Sequence, residues 1–252
     1  MLGTIGFGFY FFAGGDYGYL VGLGVIVIAA TAGVTLTTLS NKQSLDQMRI
    51  LVDQTGFTLL PGRTPMPGST PSGLFGLSSK ADQWPESADF AAYFDGFRIG
   101  EKRSVGPAVY GTDSNGITWF LLNYEYTNSS YHGVSRHFAV VLARTNLVLP
   151  AVAILRKQDK GLTLADLNTA SEPVDLSCNS QPQYIVKSFD QASANHLLSA
   201  DFVSALMRLP QYDWSFNGPF IMATIYDDDQ AVTFLGMKSG IEAIIAVIPE
   251  NA

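Results

Sequence analysis

Residues 117–126 read ITWFLLNYEY, and this stretch decides the fold. Phe120, Leu122, Tyr124 and Tyr126 occupy alternate positions, with Asn123 and Glu125 between them. A period of two puts the first set on a covered face of a β-strand and the second set on the other face. Just before it stands Thr112-Asp113-Ser114-Asn115-Gly116, where Asn-Gly supplies the positive φ angles of a tight hairpin. Residues 104–111 are therefore its partner strand. After a polar loop over 127–136, residues 137–143 and 148–155 read as two further strands. Pro150 has no N–H to donate, which confines the second to an edge or a bulge.

Further toward the C-terminus, 184–187 reads as a brief strand. Asp190 is an N-cap residue opening a helix through Ala194, Leu197 and Leu198, and Ser199 caps a second carrying Phe202, Leu206 and Leu209. Trp214 and Phe216 begin a strand, Asn217-Gly218 predicts a turn, and 220–226 returns as another strand. Residues 236–248 are apolar and helical in pattern. Toward the N-terminus, 86–94 (ESADFAAYF) reads as a short helix presenting Phe90, Tyr93 and Phe94. Residues 61–85 carry Pro61, Pro65, Pro67, Pro71 and Pro85 among Gly and Ser and read as a linker. Residues 42–54 read as a juxtamembrane helix with Leu45, Met48, Ile50 and Leu51 apolar. The fold class expected for 86–252 is α+β, an antiparallel sheet with helices packed on it.

Residues 19–39 read YLVGLGVIVIAATAGVTLTTL, with no charge between Asp16 and Lys42. About 20 apolar residues cross a bilayer as a helix, so 17–40 is expected to be a single N-terminal transmembrane helix, uncleaved because no basic residue precedes it. Tyr17 and Tyr19 lie at its edge. Phe7, Phe9, Tyr10, Phe11 and Phe12 make 1–16 an interfacial peptide or an extension of the helix. Gly18 with Gly22, and Ala29 with Gly33, are small-xxx-small pairs that admit a second helix closely. Lys42, Arg49 and Arg63 follow the span and only Asp16 precedes it, which predicts a bacterial inner-membrane protein, N-terminus outside and domain cytoplasmic. The partition expected is thus 1–16, 17–40, a juxtamembrane helix and linker over 41–85, and the domain over 86–252.

Several pieces between Phe94 and Phe234 resemble, in their order, a family of uncharacterised bacterial membrane-anchored domains of unknown function. They are Tyr124-Glu125-Tyr126, the apolar strand Phe138-Ala139-Val140-Val141, Leu149-Pro150 ahead of Ala153-Ile154-Leu155, and Tyr184-Ile185-Val186 followed by Phe189-Asp190, Ala194, Leu197-Leu198, Phe202 and Leu206. The resemblance implies the fold and the anchoring. It implies no activity and no site residues.

The net charge of −7 excludes nucleic acid, whose phosphates require clustered Lys and Arg. Cys178 is the single cysteine, so there is no internal disulfide. Nucleophile-elbow, phosphate-loop, dinucleotide and zinc signatures are absent. His132 and His137 flank one loop with Glu125 across the hairpin, a weak metal candidate outweighed by a surface reading. His196 reads as a half-buried helix residue. Asp227-Asp228-Asp229 lacks the spaced ligands and closing Glu of a calcium loop and reads as a solvated turn. No cofactor or metal is expected. The function expected is a non-catalytic accessory subunit that packs, through its helix and N-terminal peptide, on other membrane subunits and lipid, and caps a larger assembly such as a bioenergetic complex. The alternative is a tethered enzyme or ligand-binding sensor, with Tyr124, Tyr126, Glu125, His137 and Arg144 as its site.

Overall fold

Strand β5, Val134–Arg156, is the spine of the structure. Its residues 138–143 (FAVVLA) are apolar without alternation, the pattern of a strand covered on both faces. A computed structural model describes residues 42–60, 64–65, 85, 88–98, 103–128, 134–157, 164, 172–173, 184–226, 228 and 230–248. The chain divides into two compact units, Met1–Ser44 and Leu45–Ala252. Apart from residues 42–44, the described elements belong to the second.

Along one edge β5 pairs with β4, Thr118–Asn128, and further on with β7, Tyr184–Ser188. Along the other edge it pairs with β8, Asp213–Tyr226. Beyond β4 lie β3, Ser104–Thr112, and the short β1, Thr58–Leu60, and β2, Thr64–Pro65. Beyond β7 lies β6, Glu172–Pro173. Every pairing is antiparallel.

The pleat sorts the side chains into two cores. Trp119, Leu121, Val141, Ala143, Ile221 and Trp214 face one side. Four helices cover them: α1 over residues 42–55, α2 Gln191–Leu197, α3 Ala200–Arg208 and α4 Ala231–Ile245. Phe120, Leu122, Tyr124, Val140, Leu142, Phe220 and Met222 face the other side, with Phe90, Phe94 and Phe97 from two 3-10 turns, Phe90–Ala92 and Asp95–Arg98. Here rings meet edge-on or tilted, Phe97 on Tyr124 at 5.0 Å and Phe90 on Phe120 at 5.4 Å, the geometry their quadrupoles favour.

The helices start where short polar side chains satisfy free amides. Asp190 Oδ1 accepts from Ala192 N at 3.0 Å, and Ser199 Oγ from Phe202 N at 3.3 Å. Asp228, ahead of α4, accepts from Gln230 N and from Thr233 Oγ1. Helix α1 ends at Gly56, whose φ of 70° gives the left-handed cap and whose N–H returns to Val52 O. Met48 and Leu51 of α1 are fully buried.

Several expectations are corrected. The two strands expected over 137–143 and 148–155 are one 23-residue strand. It stays continuous through register shifts between Arg144 and Val152, and Pro150 sits in that bulged stretch of a central strand. The hairpin expected at Asn217-Gly218 is also absent. Strand β8 runs straight through, with Gly218 at φ 55° opposite Leu149, so the Asn-Gly pair absorbs a bulge. The fold class is corrected as well. The architecture is a predominantly antiparallel sheet with four helices, not a domain led by a single membrane-spanning helix. No described helix is long and apolar enough to cross a membrane. The longest, α4, has 15 residues and so reaches about 22 Å against the roughly 30 Å of a hydrocarbon core. The span expected over 17–40 lies outside the described residues. The single-pass inner-membrane placement that rested on it is withdrawn.

The bulge at Gly218 can be tested against the helix cap at Gly56. A Cβ at Gly218 would meet Tyr93 Cε1 at 2.5 Å, whereas one at Gly56 meets nothing within 4 Å. Gly56→Ala should cost about 1 kcal/mol from φ alone, and Gly218→Ala about 2–3 kcal/mol because strain and overpacking add. Urea denaturation of the two variants measures the difference.

Candidate functional site

The turn between β3 and β4 is organised by one carboxylate. Asp113 Oδ1 accepts from the amides of Asn115 at 2.9 Å and Ile117 at 3.1 Å, and Oδ2 accepts from Trp119 Nε1 at 2.8 Å. Trp119 is fully buried, so its indole N–H needs this partner. The Lys238 ammonium, from α4, sits 4.5 Å from the Trp119 ring centroid and bonds Glu242 one turn on. A cation over an indole face gains from the ring's quadrupole. Partial burial pushes the Asp113 carboxyl up. The Trp119, Ile117 and Asn115 hydrogen bonds, with the Lys238 charge, outweigh that and hold it below the ordinary carboxylate range.

Asp113 and Lys238 of this cluster line a cleft of about 460 Å³ between the C-terminal end of α1, the β3–β4 turn and α4. Gln54, Thr55 and Phe57 form one wall, Thr112 and Ser114 the turn side, and Leu235, Lys238 and Ser239 the α4 side. Phe57 is fixed against Gly111, where a Cβ would fall 2.4 Å from its ring. Two hydroxyls are already engaged, Thr112 with Thr118 at 3.1 Å and Thr55 with the Leu51 carbonyl at 2.6 Å.

The residues expected for an enzyme or sensor do not converge. Tyr124 and Tyr126 lie on the aromatic face, while Glu125 and its cross-strand partner His137 alternate with them. Burial pushes both phenols up, more than nearby Arg103 and Arg136 lower them, so both stay neutral. Tyr124 donates to Phe97 O at 3.3 Å and Tyr126 stacks on Phe138 at 6.0 Å. Arg144 lies over Phe220, opposite Thr118, at the far end of the β4–β5 ladder from Tyr126. His137 Nε2 does come within 3.9 Å of Glu125 Oε1. Among the described residues no group of three His, Cys, Asp or Glu could hold a metal ion.

The fold has a solved counterpart. The crystal structure of the mycobacterial trehalose monomycolate transport factor A, TtfA, is similar to this chain with a TM-score of 0.52 and 10% identity, covering 83% of this chain and 96% of that one. At that identity the likeness is one of fold. No family model matches the chain, and no curated protein does.

The packing residues Gly18, Gly22, Ala29 and Gly33 and the aromatics Phe7, Phe9, Tyr10, Phe11, Phe12, Tyr17 and Tyr19 lie outside the described residues, as do His132, Cys178, Asp227 and Asp229. His196 is exposed rather than half-buried, because α2 turns Ala194 and Leu197 inward. Asp228 serves α4 as described. The cleft escaped the sequence reading because Trp119 and Lys238 are far apart in the chain. The local signal was Asp113 two residues before Asn115, the spacing of an Asx turn.

The Asp113 carboxylate makes a pH prediction. Its folded-state value is lowered, so its contribution is full at neutral pH. The contribution declines as the unfolded carboxyl protonates near pH ~4 and is lost once pH falls through the folded value. Asp113→Ala should lower stability by about 1–2 kcal/mol at neutral pH, the scale of a few hydrogen bonds. Urea midpoints of variant and parent should converge as pH falls below the folded-state value.

Proposed function

We propose that the chain is a non-catalytic accessory component that docks on other proteins of a larger assembly. The observation that carries the reading is a pair of outward apolar side chains on neighbouring elements of the helical face. Ile50 of α1 is 42% exposed and Val232 of α4 is 70% exposed. The two helices are tied beside them, with Gln47 Oε1 accepting from Ala231 N at 2.9 Å. Exposed apolar surface rimmed by polar groups is the kind that partners cover.

The fate of the acidic side chains supports it. Asp113 holds a turn, Asp190 and Asp228 serve helix starts, and Asp213 is buried and accepts from Arg156 N at 2.8 Å. Carboxylates so engaged are structural, whereas general acid–base work needs a carboxyl that can reach a substrate proton. The solved structure of similar fold is named a transport factor for trehalose monomycolate. A transport assembly is therefore the setting we favour for this chain.

The test is native sizing of a gentle extract from the source cells, with the chain detected by antibody. It should migrate in a particle well above its own 27.2 kDa. Ile50→Asp with Val232→Asp, at unchanged thermal midpoint, should shift it toward the monomer. A parent chain that migrates as a 27.2 kDa monomer contradicts the proposal.

A further inference from the structure

The cleft at the end of α1 has acceptors to spare and few donors. Among the described residues no backbone amide beyond the helix donates to the carbonyls of Gln54 or Thr55, two residues of the cleft lining. These are the orphan carbonyls of a helix C-terminus, which carries about half a negative charge. The Asp113 carboxylate stands across the cleft. The single cation in its lining is already committed: the Lys238 side chain is only 16% exposed, its ammonium bonded to Glu242 and laid on the Trp119 ring. An anion entering here would meet the Asp113 carboxylate and the helix carbonyls. A donor-rich cation would find acceptors on both walls, with the Phe57 ring and Leu235 to cover its aliphatic stem.

We propose that this cleft is a docking socket for a basic side chain, arginine or lysine, presented by a partner protein. The proposal rests on the accessory reading and names the chemistry by which the partner is held. Guanidinium suits the site because its fork of donors can engage a helix end and a carboxylate together. Lys238 then sets the strength of the socket. It keeps the indole covered when the socket is empty, and its charge opposes the incoming one.

The experiment is a titration of the full chain, followed by amide chemical shifts, with N-acetyl-arginine amide as the probe and neutral N-acetyl-citrulline amide as its isostere. The arginine probe should give saturable shifts confined to residues 54–57, 112–114 and 235–239 at up to about 50 mM, the range for one side chain. The citrulline probe should give none. Two variants should move the affinity in opposite directions, each by about threefold, the scale of one solvent-screened charge. Glu242→Gln should weaken binding and Lys238→Met should strengthen it. Ser239→Arg, at an exposed position on the rim, should fold normally and abolish the shifts by filling the socket. Absence of shifts, equal shifts with citrulline, or shifts that persist in Ser239→Arg would overturn the socket. None of these results depends on the sizing of the assembly, so the two proposals fail separately.

Discussion

The structure depends on the double pairing of β5. Its residues 138–144 carry β4 on one edge and β8 on the other in the same rungs, Leu142 facing both Phe120 and Met222. A strand flanked on both edges has its backbone groups satisfied without water, so both of its faces can be apolar. Val140 and Leu142 enter the aromatic core, and Ala139, Val141 and Ala143 enter the helix-covered one. The small Ala residues let Trp119, Trp214 and Phe234 fill the space beneath the helices. The far half of β5 repeats the scheme with β7 in place of β4. The bulged stretch between the halves is held by Thr145, whose Oγ1 donates to Pro219 O at 3.2 Å and accepts from Leu147 N at 3.2 Å. At the far end Asp213 fixes Arg156 through its backbone N–H.

Local chemistry was legible in the sequence and long-range pairing was not. The 113–116 turn, the alternation through Phe120 and Tyr126, and the caps at Asp190 and Ser199 each depend on residues within a few positions of one another. Residues 137–143 and 148–155 read as two strands, with Pro150 confining the second to an edge or a bulge. Only the tertiary bond from Thr145 to Pro219 shows why the chain continues through it. Asn217-Gly218 has the composition of a hairpin, yet β5 already offers β8 a partner along its whole length. The sheet therefore overrides the turn propensity. Residues 42–54 read as a juxtamembrane helix, whereas α1 buries Met48 and Leu51 along one stripe and leaves Arg49 and Ile50 outside. The cluster of Asp113, Trp119 and Lys238 has no sequence signature, since its members meet only after α4 lies across the sheet.

The functional reading follows from the same division of labour. Among the described residues both faces of the sheet carry a packed core, and the outer surface of the helices and the rim of the β3–β4 turn are open to partners. On that side stand the exposed Ile50 and Val232 and the acceptor-rich end of α1. An apolar contact beside a charged socket is a common division in protein interfaces. The apolar part supplies affinity, and the charged part supplies orientation and selectivity.

Strands β5 and β8 are two unbroken strands paired across the bulge, and cross-strand nuclear Overhauser effects report on that pairing. Backbone contacts are expected between Met222 and Leu142 on one side of Gly218 and between Ser215 and Ala153 on the other, in one molecule. Contacts between Ser215 or Phe216 and Phe220 or Ile221, the signature of a hairpin closed at Asn217-Gly218, would contradict it.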